Sequence, residues 1–229
     1  HCVTRRQRQM CIRDSMVDAL LFGSIGVLAE TSEIQRQAYN QSFEEHGLDW
    51  YWNIANYCEL LKTPGGKRRL KDFANVSLPD DVIDSIHDRK ESIFFEQLKS
   101  DLSPRDGVTD CIRVCRQKDI KIGFITTTSQ RNIESLAQAL DQHVDFEQFD
   151  LITTKSDVGK EKPNGEVYKF ALSKIEVSAE KTIAIEDTEI NQQAALENEI
   201  QCYLFAGEYA TTQHNFNAIK TLKAISSQL

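Results

Sequence analysis

The stretch LLFGSIGVLAETSE, residues 20–33, decides how the chain is read. Its apolar run Leu20-Leu21-Phe22 enters a tight Gly-containing segment, Gly23-Ser24-Ile25-Gly26-Val27. Short runs of the same kind recur at residues 122–126, 149–153, 182–185 and 202–205. Each is apolar throughout, which is the pattern of strands buried on both faces of a parallel sheet. Between them lie segments of helical periodicity at 108–117, 131–140, 166–175, 189–197 and 216–227. Strand–helix alternation predicts right-handed crossovers and a doubly wound, Rossmann-like α/β core.

One interval breaks that rhythm. Between the first strand and Val108 no segment reads as a strand, and helices are expected at 33–46, 52–61 and 80–99, with a basic turn at 64–69. This is a helical cap inserted after the first strand. Ligands of open α/β sheets bind beyond the carboxyl ends of the strands, so a cap placed there would sit above the site. The expected division is a core of residues 16–32 and 103–229 with a cap of 33–102. Trp50, Tyr51 and Trp52 are expected to pack the cap, and His46, His87 and His143 to lie at the surface or at helix ends.

The first fifteen residues, HCVTRRQRQMCIRDS, differ in kind: four Arg, one Asp and no apolar periodicity. They lack the apolar region of a secretory signal and are expected to form a foreign or disordered tail, with Met16 as a natural start. Net charge is -8 over 229 residues, which argues against broad nucleic-acid binding. No apolar run approaches the ~20 residues that span a bilayer. Cys2, Cys11, Cys58, Cys111, Cys115 and Cys202 match no CxxC pattern. Cys111 and Cys115 would share a helix face as buried small apolar residues, and a reducing cytoplasmic location is the default.

Four stretches carry chemistry, in order: Gly23-Ser24-Ile25-Gly26-Val27 after the first strand, Thr126 in GFITTTS at a strand end, Lys162 in KEKPNGEVY, and Glu186-Asp187 in AIEDTEINQQAA. On these, residues 16–229 resemble the haloacid dehalogenase superfamily, in its branch of CbbY-like sugar phosphatases and β-phosphoglucomutases. The family has Asp-x-Asp-Gly-Thr/Val where this chain has residues 23–27. It has Lys-Pro-x-Pro-Asp/Glu-x-Tyr/Phe at Lys162, with Gly165 here in place of the second Pro. It has Glu-Asp-Ser…Gly…Ala-Ala at Glu186-Asp187, with Thr188 and Asn191 here in place of Ser and Gly.

The resemblance implies a phosphoryl-transfer site. The first Asp attacks phosphorus and the second moves the proton. Mg²⁺ is held by the first Asp, the backbone carbonyl of the second and the later Asp, here Asp187, with Glu186 as a possible assistant. Ser/Thr and Lys, here Thr126 and Lys162, hold the equatorial oxygens. Gly23 offers neither nucleophile nor metal oxygen, and Ile25 presents a carbonyl but moves no proton. By strand alternation Ser24 should point away from the face shared by 23 and 25, and Glu30 lies beyond the loop. Mg²⁺ binding is therefore expected to be weakened or absent. In the cap, Lys62, Lys67 and Arg68 are candidates for the non-transferring phosphate of a phosphosugar. Gln35 stands where the mutase branch has a His, which argues against mutase activity.

The expectation is a sugar-phosphate phosphatase relative, impaired or inactive, that binds a phosphorylated metabolite. With two carboxylates fewer beside Lys162, the pocket would accept a phosphate without metal. An active Mg²⁺-dependent phosphatase using non-standard groups, and a non-catalytic interaction protein, are the alternatives.

Overall fold

Five short, largely apolar strands pair in one parallel sheet, its inner strands buried on both faces and its edge strands only in part. The architecture is that of a computed structural model, which describes residues 17–63, 65–74, 78–98, 102–214 and 216–229. The expected N-terminal tail lies outside the described residues, as do Pro64 and Lys99. In chain order the elements are β1 (Ala19–Phe22), α1 (Ile25–Leu28), α2 (Ser32–Glu45), α3 (Ile54–Leu60), α4 (Gly66–Phe73) and α5 (Asp80–Gln97). There follow α6 (Val108–Gln117), β2 (Lys121–Phe124), α7 (Gln130–Ala139), β3 (Leu151–Ile152), α8 (Glu166–Ile175), β4 (Thr182–Glu186), α9 (Glu189–Leu196), β5 (Gln201–Leu204) and α10 (Lys223–Ser226).

The sheet order is β3-β2-β1-β4-β5, so β1 is central. Phe22 lies level with Phe124 on one side and Ile185 on the other. Side chains alternate across the sheet. Leu20 and Phe22 therefore join one apolar cluster with residues of α6, α7 and α10, while Leu21 joins another with Val167, Tyr168 and Ala171 of α8 and Ala194 and Ala195 of α9. Cys111 and Cys115 are buried in the first cluster, as small apolar residues would be. Two helices that start at the carboxyl edge are capped by side chains: Ser129 accepts the Asn132 N–H at 3.3 Å for α7, and Thr188 the Asn191 N–H at 3.4 Å for α9.

Between β1 and α6 the chain forms α2–α5, with an apolar cluster of its own built on Tyr39, Phe43, Trp52, Tyr57, Leu70, Ile83 and Ile86. Trp52 is fully buried and Trp50 packs edge-on against Phe43 and Phe73. Tyr209, from the loop after β5, enters the same cluster, and its hydroxyl donates to Glu33 Oε2 at 2.7 Å.

Four expectations need correction. The segment at 216–227 is not one helix: only α10 is helical. Asn217 takes a left-handed φ of +50° and Ala218 bridges to Leu204, so the chain is spent covering the edge of β5. Lys67, Arg68 and Arg69 lie in α4 rather than in a turn. Tyr51 is exposed and packs nothing in the cluster. His87 sits mid-helix in α5, and burial rather than solvent sets its environment, pushing its pKa down.

Candidate functional site

A cavity of about 610 Å³ lies between the carboxyl ends of β1, β2 and β4 and the inserted helices. Its floor holds Gly23, Ser24, Thr126, Lys162 and Asp187, brought together from four separate stretches of sequence. Parallel pairing does this directly, since β1, β2 and β4 end level with one another. Arg105 fixes the rim: its Nη1 donates to the carbonyls of Gly26 at 2.6 Å and Phe205 at 2.7 Å, and its Nη2 to that of Ala206 at 2.6 Å.

Thr126 is nearly buried. Its N–H donates to Thr153 Oγ1 at 2.9 Å, and its hydroxyl accepts the Thr128 N–H at 3.2 Å. Lys162 turns its ammonium into the floor, where it donates to the carbonyls of Gly23 and Ile125 (2.7 Å for the latter) and to Glu186 Oε1 at 2.5 Å. Tyr168 also donates to Glu186 Oε1. Glu186 is completely buried and is not part of the cavity wall. Burial pushes its carboxyl above the ordinary 4.5, against the pull of Lys162. Asp187 is raised by burial too. Its carboxylate lies over Gly26, where any Cβ would collide with it.

A divalent cation would need oxygens from this floor. Asp187 Oδ1 and Glu186 Oε2 are buried without partners. Gly23 adds no side chain, its carbonyl is held by Lys162, and Glu186 Oε1 carries two donors. Among the described residues no group of three or more His, Cys, Asp or Glu is placed to hold a metal. Of the oxygens that the family pattern assigns to magnesium, the side chain at position 23 is lacking, while Asp187 and Ile25, the latter with its backbone carbonyl, line the cavity.

The opposite wall comes from the insertion. Gln35, Lys67 and Arg68 line it. Lys67 pairs with Asp84 at 2.7 Å, and Gln35 Oε1 accepts from Lys90 at 2.9 Å. Lys62 does not line the cavity: its ammonium is on the surface, paired with Glu59 at 2.7 Å. Sequence reasoning missed three groups here. Lys90 is 3% exposed, with its ammonium over the Tyr39 and Phe94 rings. His87 and Arg69 line the wall beside it. Lys90 and His87 are three residues apart on α5, the one available signal that they share a face. On the core side Lys155 was missed. Ser24 was misplaced: β1 ends at Phe22, alternation stops there, and Ser24 lines the cavity as the residue preceding α1.

A parallel α/β core, a helical insertion after its first strand and this floor define a class. The chain matches the haloacid dehalogenase-like hydrolase family over residues 25–205, and it belongs to that family. Within it, the chain is similar to Protein CbbY of Cereibacter sphaeroides, at 34% identity over 203 residues that cover 87% of both chains. The crystal structure of CbbY from Rhodobacter sphaeroides in complex with phosphate matches with a TM-score of 0.79 at 33% identity, covering 91% of this chain and 94% of that one. A mutant of that protein in complex with xylulose-(1,5)bisphosphate matches equally, with a TM-score of 0.79. Among the described residues no helix is long and apolar enough to cross a membrane.

Proposed function

We propose that this protein is a CbbY-like member of the family that binds a phosphorylated small molecule, a phosphosugar, and turns it over slowly or not at all. The observation that carries the binding half is charge. The cavity is lined by six cations, Lys67, Arg68, Arg69, Lys90, Lys155 and Lys162, against three carboxylates, Glu91, Glu161 and Asp187. The chain as a whole carries -8. An acidic protein with a local excess of cations around one cavity is suited to hold an anion there. The CbbY structures with phosphate and with xylulose-(1,5)bisphosphate support the choice of ligand class. Residues 16–32 and 103–229 serve as the core and 33–102 as a cap, whose Lys67 and Arg68 meet the non-transferring phosphate.

The catalytic half rests on Gly23 and Ile25. In the family's pattern these positions carry the nucleophile and the proton-moving Asp. Losing a nucleophile alone costs about 10⁶ in kcat. The incomplete oxygen set weakens Mg²⁺ binding, so ligand binding should not depend on the metal. One observation favours the reading of turnover by substitute groups: Ser24 lines the cavity beside Asp187. Its Oγ has no exposed surface, which argues against attack on a bound phosphate.

Titration calorimetry of the native chain with phosphosugars, with and without Mg²⁺, tests the binding half; heat is expected in both. No heat with any phosphorylated ligand would defeat it. Brisk Mg²⁺-dependent hydrolysis of p-nitrophenyl phosphate would defeat the catalytic half.

A further inference from the structure

Gly23 lacks a side chain, yet the space for one is filled. A Cβ built on Gly23 would overlap the carboxyl carbon and Oε1 of Glu186 and stand 2.7 Å from Oε2. Glu186 is the last residue of β4, which pairs with β1, and Phe22 lies level with Ile185. The next residues along, Gly23 and Glu186, are therefore neighbours by register. An ammonium has three N–H donors. Those of Lys162 are shared among Gly23 O, Ile125 O, Glu186 Oε1 and, more distantly, the Tyr168 hydroxyl at 3.3 Å, so the cation on the cavity floor is committed inside the protein.

We infer that Glu186 occupies the place of a side chain at position 23 and acts as the positioning residue for Lys162, holding its ammonium and cancelling its charge, and so sets how tightly the core half of the cavity grips an anion. The inference rests on the phosphate-binding reading above. It also amends the expectation of an emptied place beside Lys162: Glu186, a residue the family pattern already has, fills the space at position 23, so Lys162 keeps a carboxylate partner. Glu186 is not a substitute nucleophile, because it has no exposed surface and lies beneath the cavity floor.

Two measurements test this. The first is a thermal-stability cycle. Gly23 does not have a positive φ, so its backbone accepts Ala. Gly23→Ala should lower the melting temperature by about 3–10 °C through overpacking against Glu186. In a Glu186→Ala background the same change should cost less than about 2 °C. If the lone ammonium prevents that background from folding, Lys162→Met/Glu186→Ala replaces it. Equal losses in both backgrounds would overturn the shared place. The second is titration with inorganic phosphate. Glu186→Gln keeps the shape and removes the charge, so affinity should rise about tenfold or more. A folded Glu186→Gln protein that binds phosphate as the native chain does would overturn the control of Lys162. Absence of phosphate binding in every variant would defeat the phosphate reading itself, and the control of anion affinity with it.

Discussion

Replacing Lys162 by Met isolates the buried ion pair. The Lys162 and Glu186 side chains are 6% and 0% exposed and their charged atoms lie 2.5 Å apart. Without the ammonium, Glu186 keeps only the Tyr168 hydroxyl as a donor. Removing one partner of a buried pair costs about 3–5 kcal/mol, because the remaining charge has left water without compensation. For a chain of this length each kcal/mol moves the melting temperature by roughly 2–4 °C, so Lys162→Met should lose about 6–20 °C at neutral pH.

The pH dependence gives the sharper check. Burial raises Glu186 above its ordinary 4.5 and Lys162 opposes the rise. Removing Lys162 lets it climb further. A carboxyl with a raised folded-state pKa contributes stability that is complete below the unfolded value and is lost as pH rises through the folded one. The deficit of Lys162→Met should therefore be small near pH 4.5 and widen toward pH 8. Thermal melts followed by circular dichroism across that range measure it, and Lys162→Met/Glu186→Gln should recover most of the loss at pH 8. A deficit of equal size at every pH, or no recovery in the double variant, would refute the reasoning.

Other outcomes follow from the same geometry. Gly23→Asp with Ile25→Asp must push Glu186 out of the space beside position 23, so the double variant should melt below the native chain without Mg²⁺, be stabilised by Mg²⁺ and acquire Mg²⁺-dependent hydrolysis of p-nitrophenyl phosphate; a folded double variant that shows neither effect of Mg²⁺ would mean that more than the first loop departs from the family. Glu33 is held down to about 2, chiefly by Arg36, with Tyr209 assisting. The stability from this pair within α2, with its lesser contact to the loop after β5, should persist above about pH 4.5 and fade toward pH 2, visible in the fluorescence of Trp50 and Trp52. Tyr209→Phe should cost about 1 kcal/mol or less, since Glu33 is partly exposed, as measured by urea unfolding at pH 7. Burial pushes the Cys111 and Cys115 thiols up to about 12, so Cys58, which is only half-buried, should be alkylated well before either in the native protein, as peptide mass mapping would show.

The strands and most helices were legible because their signals are local. An apolar run of four or five residues cannot be left in water, and the helices at 108–117 and 166–175 fall where periodicity places them. The segment at 216–227 failed because its conformation answers a distant need, the open edge of β5 at Leu204. Motif order singled out Thr126, Lys162 and Asp187, which the fold brings to one cavity floor. It could not find Lys90, since a lone cation on a helix reads as a solvated face until α2 packs over α5 and brings Gln35 to it. Lys62 erred in the opposite sense: a cation beside the right loop, turned outward to Glu59.

The hardest feature to read was the one with most consequence. A sequence shows that position 23 has no carboxylate, and the natural conclusion is a vacancy with one negative charge fewer. Vacancies in close-packed protein interiors are unstable, because the lining atoms lose contacts on one side. The nearest flexible side chain able to fill this one belongs to a residue 163 positions away, and only the β1–β4 register reveals it. Glu186 enters because Lys162 is there to neutralise it, and Lys162 stays down because Glu186 has entered. The charge of the cavity floor is thus a property of the pair. A phosphate that draws Lys162 upward must also leave Glu186 protonated or otherwise paired, so the raised pKa of Glu186 and anion binding should be linked. Phosphate titrated into a lightly buffered solution of the native protein should take up protons in proportion to occupancy, beyond those accounted for by phosphate's own ionisation, and the excess should vanish in Glu186→Gln. Binding with the same proton uptake in both proteins would mean that Lys162 holds the anion without releasing its partner.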